Sequence, residues 1–143
     1  MERTAKAHWQ GNIKDGKGTV STQTGILKEA GYSHKSRFVE GVEGTNPEEL
    51  LGAAHAGCFT MSVADILSKR GLIPKSLDTK ATVTLIDLNI TNIHLSITGD
   101  VSGITADEFT TVTKEAEKNC PVSKALKTSI TSEAHLLVKE KMI

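Results

Sequence analysis

The stretch NPEELLGAAHAGCFTMSVADIL, residues 46–67, decides the fold. Its start is marked three times: Asn46 can cap a helix, Pro47 suits the first helical position, and Glu49 stands three residues after Asn46 as in a capping box. From Leu50 to Leu67 apolar residues cover most of the helix circumference, where a surface helix would show a single stripe. Gly71 is placed to end the helix, because glycine adopts the left-handed conformation without a Cβ clash. Such a helix must be covered on nearly all sides, and one small sheet covers only one. The simplest arrangement is a dimer in which two of these helices pack together between the sheets of the two subunits.

Toward the N-terminus, residues 4–12 and 18–22 read as extended segments flanking KDGKG, which predicts an antiparallel hairpin. HKSRFVE, residues 34–40, reads as a third strand, which would put the neighbouring Arg37 and Phe38 on opposite faces. Toward the C-terminus, Ala81, Val83 and Leu85 share one face of a strand, and Ile93, Leu95 and Ile97 one face of the next. Thr105 with Glu108 makes a second capping pattern, followed by an amphipathic helix carrying Phe109, Val112 and Ala116 to about residue 119. Pro121 opens a short helix over 121–127. Ile130, Ala134, Leu136 and Val138 then alternate with Thr131, Glu133 and His135 in a final strand. Strands clustered in this way predict an α+β fold, a two-layer α/β sandwich of antiparallel sheets with the long helix at its centre.

The chain has 143 residues and no internal repeat or low-complexity linker, so residues 1–143 are expected to form a single domain. Seventeen basic and seventeen acidic side chains cancel without collecting into blocks, which argues against a nucleic-acid partner. Five scattered aromatic residues, Trp9, Tyr32, Phe38, Phe59 and Phe109, make a poor stacking platform for bases. The opening MERTAKAHWQG lacks the apolar run of a signal peptide. Residues 50–67 carry His55, Asp65 and several Gly and Ala, and read as falling short of a membrane span. A soluble cytoplasmic protein is expected. Two cysteines are too few for a disulfide framework, and any pairing between them would be transient and chemical.

Cys58 sits mid-helix among Ala56, Gly57 and Phe59, where a buried cysteine can be no more than a small hydrophobe. Cys120 precedes the proline that starts the short helix, where backbone N–H groups favour a thiolate; it can equally stand in for Ser as a plain helix cap. His55 and Cys58 share a helix face and Cys120 could join them, yet no second close-spaced pair completes a tetrahedral set, so no metal is expected. His8, His34, His94 and His135 read as solvated residues on polar strand faces. No Gly-rich phosphate loop and no Ser-centred nucleophile elbow occurs.

NPEELLGAAHAGCF together with CPVS, HWQGNIKDGKGTVST and SRFVEG resembles the OsmC/Ohr family of bacterial thiol peroxidases, more its OsmC branch than its Ohr branch, along essentially the whole chain. The resemblance implies an intertwined homodimer with central long helices and two active sites at the interface. It implies that Cys58 is the peroxidatic thiolate attacking an organic hydroperoxide, and that Cys120 resolves the resulting sulfenic acid as an intrasubunit disulfide. Arg37 matches the arginine that lowers the thiolate pKa and polarises the peroxide, and Glu48 the carboxylate that orients it. An external dithiol, such as a lipoylated protein, would supply electrons, and no cofactor is needed.

These roles make physical sense. Cys58 lies about three turns inside its helix, beyond useful reach of the N-terminal dipole, so its ionisation needs an external cation. An arginine can hold a thiolate and a carboxylate clamp together while staying charged. Leu51, Phe59 and Met61 are expected as apolar walls. Glu48 and Cys58 are separated by about 15 Å along one helix, so the Arg37–Glu48 pair serving Cys58 is expected to come from the other subunit. Nearness to Arg37 should make Cys58 the more acidic thiol, outweighing a helix-cap effect of about 1 kcal/mol at Cys120. A redox sensor or small-molecule binding protein on the same scaffold is the alternative reading, because one fold carries unrelated functions.

Overall fold

The computed structural model describes residues 1–138. The chain gathers into two compact units, the first Met1–Leu50 and the second from Leu51 onward.

In the first unit, β1 (Ala5–Gln10), β2 (Lys17–Thr22) and β3 (Ala30–Tyr32) form an antiparallel sheet in that order. The expected hairpin is present, with Asp15 and Gly16 in the loop 11–16 that joins its strands. Asn12 organises the loop: its Oδ1 accepts the Asp15 N–H at 2.8 Å and its carbonyl the Gly16 N–H at 2.8 Å. Gly16 is required for closeness, since a Cβ there would stand 2.2 Å from the Asn12 carbonyl oxygen.

The expected strand over 34–40 is instead a short helix, α1 (His34–Phe38). Ser33 and Ser36 form a reciprocal capping box, Ser36 N–H donating to Ser33 Oγ at 3.0 Å and Ser33 N–H to Ser36 Oγ at 2.8 Å. That pair satisfies backbone donors locally and outcompetes an extended conformation over so short a window. The strand that does form, β3, lies just upstream.

The long helix α2 (Pro47–Lys69) starts where the sequence marks it, with the Glu49 N–H donating to Asn46 Oδ1 at 2.7 Å. Glu49 does not reach back to the Asn46 backbone; its carboxylate accepts from the Thr45 hydroxyl at 2.8 Å. Gly71, at φ +76°, ends the helix beside a Leu72 N–H to Leu67 carbonyl bond of 2.9 Å.

The second unit holds β4 (Ser76–Ile86), β5 (Asn89–Asp100), α3 (Ala106–Asn119), α4 (Pro121–Ala125) and β6 (Ser129–Leu136). Its sheet runs β4-β5-β6. The β4–β5 hairpin is antiparallel and turns through Asp87 and Leu88, both at positive φ. The β5–β6 pair is parallel, which corrects the expectation of antiparallel sheets throughout. The two helices α3 and α4 intervene between β5 and β6, and a helical crossover delivers the chain back to the start of a parallel neighbour, as a tight turn cannot.

One stripe of α2, Gly52, His55, Phe59, Val63 and Leu67, is buried. Its apolar members join Ile93, Leu95 and Ile97 of β5 and Phe109, Val112 and Ala116 of α3 in one core. Each fully buried Leu, Ile or Phe contributes about 1.5–3 kcal/mol. Gly52 lets the helix approach the sheet, since a Cβ there would meet the Val83 side chain at 3.3 Å. Within one chain Ala53, Ala54, Gly57 and Met61 of the helix are exposed. By length and composition alone, Pro47–Lys69 would also suit a membrane, contrary to the reading of residues 50–67, although its stripe is sealed in this core.

Candidate active site

Two clusters bring the sequence-selected residues together, one in each unit. In the first, the Ser36 hydroxyl donates to the Thr45 carbonyl at 2.8 Å, pinning α1 to the segment that leads into α2. Arg37, in the last turn of α1, thereby meets Glu48 in the first turn of α2. Arg37 Nε donates to Glu48 Oε1 at 2.9 Å and Nη2 to the same oxygen at 2.6 Å. The carboxylate side chain is 12% exposed and the arginine 35%. The guanidinium carbon stands 5.2 Å from the centre of the Phe38 ring. Trp9, Ile13, Tyr32, Phe38 and Pro47 line a pocket beside it, so the cation faces a largely apolar space.

In the second cluster, α2 presents Cys58 to the start of α4. Cys120 is fully buried and caps α4, its sulfur accepting the Ser123 N–H at 3.4 Å. Cys58 is half-buried, and both thiols are free. Burial pushes the Cys58 thiol above its ordinary pKa, the Val122 N–H pulls it down, and the neighbouring Cys120 thiol pushes it up again. None of these influences supplies a positive charge. The thiolate that the resemblance implies therefore needs a cation from outside this cluster.

His55 and Ser123 belong to the same cluster. His55 is fully buried, and its Nε2 lies 2.8 Å from Ser123 Oγ, which in turn lies 3.0 Å from Cys120 Sγ. Nδ1 of His55 is buried without a hydrogen-bond partner among the described residues. Burial holds the imidazole pKa below its ordinary value, so the ring is neutral. The sequence alone offers His55 near Cys58 only as a metal candidate and gives Ser123 no role. The available signal was the C-x-x-S spacing, which sets a hydroxyl one turn after the cap.

Among the described residues no cluster of three or more His, Cys, Asp or Glu side chains could hold a metal ion. His34 lies on α1, not on a strand, while His94 pairs with Glu133 at 3.0 Å on the polar face of the second sheet. Phe59, expected as a pocket wall, is sealed in the core; Met61 is exposed and Leu51 half-buried.

A family model described as OsmC-like protein matches residues 40–135. The chain belongs to the OsmC family. It is 45% identical over 140 residues to the Peroxiredoxin OsmC of Escherichia coli strain K12, covering 95% of this chain and 97% of that one, which places it in the OsmC branch. Its fold matches an OsmC-like protein from Vibrio cholerae O1 biovar eltor with a TM-score of 0.76 at 18% identity, covering 94% of this chain and 99% of that one. It also matches the organic hydroperoxide resistance protein OhrB of Bacillus subtilis with a TM-score of 0.66 at 21% identity, over 94% and 98% of the two chains. Of the four sequence-selected residues of this OsmC chain, Glu48, Cys58 and Cys120 fall inside the segment matched by the family model and Arg37 just before it.

Proposed function

We propose that this OsmC-family peroxidase reduces organic hydroperoxides, and hydrogen peroxide more weakly, to the corresponding alcohols and water in defence against oxidative and osmotic stress. The observation that carries the reading is the placement of two free thiols, Cys58 and Cys120, side by side where α2 meets α4. The Cys58 thiolate attacks the terminal peroxide oxygen. A sulfur–oxygen bond forms, the O–O bond breaks, and the alkoxide leaves with the electron pair and takes a proton. The Cys58 sulfenic acid then condenses with Cys120 to an intrasubunit disulfide and water, before a second peroxide can drive it to sulfinic acid. An external dithiol, such as a lipoylated protein, reduces the disulfide in two exchange steps and leaves oxidised itself.

Arg37 is the cation that Cys58 lacks, held and oriented by Glu48. Glu48 and Cys58 lie on one helix about 15 Å apart, so the serving pair belongs to a second copy and the working form is an intertwined homodimer with residues 1–143 of each copy acting as one domain. The open face of α2, made of Ala53, Ala54, Gly57 and Met61, suits close packing against that copy. The chemistry takes place on sulfur, calls for no cofactor or metal, and suits a soluble enzyme of the cytoplasm.

A substrate panel tests the reading. Many equivalents of cumene or tert-butyl hydroperoxide should be consumed per subunit with dithiothreitol or dihydrolipoamide as reductant. A single stoichiometric oxidation would point to a redox sensor, and no oxidation to a binding protein.

A further inference from the structure

His55 is a titratable side chain sealed in an otherwise apolar stripe of α2, with Nε2 bonded to one hydroxyl and Nδ1 to nothing among the described residues. Packing does not account for it. An apolar side chain of similar volume would fill the space without leaving a ring nitrogen unpaired. What the imidazole adds is a hydrogen-bonded line of three side chains, with 2.8 Å from Nε2 to Ser123 Oγ and 3.0 Å from Oγ to Cys120 Sγ. The line ends on the buried sulfur that must lose its proton when the disulfide forms.

We infer that Ser123 and His55 form an internal proton path that activates Cys120 for resolution. The inference rests on the peroxidase reading above. In the tautomer with hydrogen on Nδ1, Nε2 accepts from the Ser123 hydroxyl, and Ser123 Oγ accepts from the Cys120 thiol. As the Cys120 sulfur attacks the sulfur of the Cys58 sulfenic acid, its proton passes to Ser123 Oγ and the Ser123 proton passes to Nε2. The S–S bond forms and the S–O bond breaks. The hydroxide leaves with that electron pair and takes the proton that the line has carried, so water is released and His55 ends the step neutral. The sum is thiol plus sulfenic acid giving disulfide plus water, with no outside oxidant or reductant. Ser123 touches the reacting sulfur and is a catalytic residue of this step; His55 acts through it as a positioning residue. The path makes a buried thiol reactive without the exposure to peroxide that would oxidise it directly.

The experiment mixes the reduced full-length enzyme with one equivalent of tert-butyl hydroperoxide. Sulfenic acid is followed as its dimedone adduct and disulfide by intact mass, after rapid quenching, in wild type, Ser123→Ala, Ser123→Thr and His55→Gln. The ratio of the resolution rate to the sulfenic-acid formation rate should fall about ten- to a hundredfold in Ser123→Ala and His55→Gln, because a positioned acid–base group is worth that much or more. Ser123→Thr should restore it, since Thr keeps the hydroxyl. Under excess peroxide the slow variants should accumulate sulfinic acid. Wild-type ratios in Ser123→Ala, or in a folded His55→Gln, overturn the path. Should His55→Gln fail to fold, the Ser123 variants decide: a lowered ratio in Ser123→Ala that Ser123→Thr restores supports the path, and a wild-type ratio in Ser123→Ala overturns it. A wild type that forms no Cys58–Cys120 disulfide overturns the peroxidase reading and the path with it, whereas wild-type resolution with unaffected variants overturns the path alone.

Discussion

Arg37 and Glu48 are joined by a forked hydrogen bond, with 2.9 Å from Nε and 2.6 Å from Nη2 to the same carboxylate oxygen. Arg37 is thereby turned edge-on to its partner and held in a fixed plane, which a lysine ammonium could not reproduce. Glu48→Gln and Arg37→Lys should each lower kcat/KM for cumene hydroperoxide by about ten- to a hundredfold while leaving the fold intact, since misorienting a stabilising cation costs this order. Steady-state kinetics with circular dichroism on the same samples checks it. Unchanged kcat/KM in both variants would remove the pair from the active site.

The two cysteines should separate cleanly by chemistry. Cys58→Ser should abolish both turnover and dimedone labelling. Cys120→Ser should give a dimedone-reactive sulfenic acid that forms once and, under excess peroxide, advances to sulfinic acid. The Cys58 thiol is pushed up by burial and by Cys120 within its own cluster, so under the proposed mechanism its ionisation depends on the added cation. Arg37→Ala should accordingly shift the pH dependence of Cys58 alkylation by iodoacetamide toward higher pH. Labelling of Cys120 in place of Cys58 would reverse the assignment.

Most of the fold was legible because its signals are local. The Asn46-Pro47 start, the Gly71 stop, and the alternation of Ile93, Leu95 and Ile97 each act within a turn or two of the residue concerned. The failures were of two kinds. Around Arg37, the seven residues 34–40 fit a strand as well as a helix, and the deciding Ser33–Ser36 box lacks the Glu or Gln by which such boxes are recognised. The parallel β5–β6 pair depends on where a crossover lands, which alternation within a strand does not encode. At the site, Cys58, Cys120, Arg37 and Glu48 could be selected by motif, whereas His55 and Ser123 meet across 68 residues of sequence and only folding shows it.

His55 also gives the fold a pH dependence. Its folded-state pKa lies below the ordinary 6.5, so the unfolded chain takes up a proton that the folded chain refuses. The stability tied to the neutral ring is complete above about pH 6.5 and is lost as pH falls through the folded value. At one protein concentration, the urea midpoint of wild type should drop between about pH 7.5 and about pH 5.5, and His55→Gln should show a smaller drop. Glu133, whose carboxyl is lowered chiefly by the His94 hydrogen bond, loses its contribution in the same direction but at lower pH, and it is common to both proteins. Equal drops in the two proteins would show that the ring is not held neutral.

Gly99 leaves no room for a side chain beside Phe109. A Cβ there would stand 2.6 Å from Phe109 Cζ and 3.2 Å from Leu77 Cδ2. Gly99→Ala should destabilise by about 1–3 kcal/mol through overpacking. Phe109→Leu, which removes the colliding ring edge, should cost less in the Gly99→Ala background than alone, and a double-mutant cycle on urea midpoints reads the coupling. Additive losses would mean that the strand shifts instead of the ring.

Shared active sites make the strongest prediction about assembly. If Cys58 of one copy is served by Arg37 and Glu48 of another, Arg37→Ala and Cys58→Ser homodimers should each be nearly inactive. A heterodimer of the two has one site with an intact Cys58 facing an intact Arg37, while its other site lacks both. Unfolding and refolding an equal mixture should place half of the dimers in that form and restore about a quarter of wild-type activity. Each variant refolded alone controls for spontaneous recovery. If Arg37 served the cysteine of its own chain, every site in the mixture would lack one of the two residues, and mixing would restore nothing. The readout depends on which chain supplies which residue and not on the stability of either variant, so it separates a shared site from a dimer that merely covers the apolar face of α2.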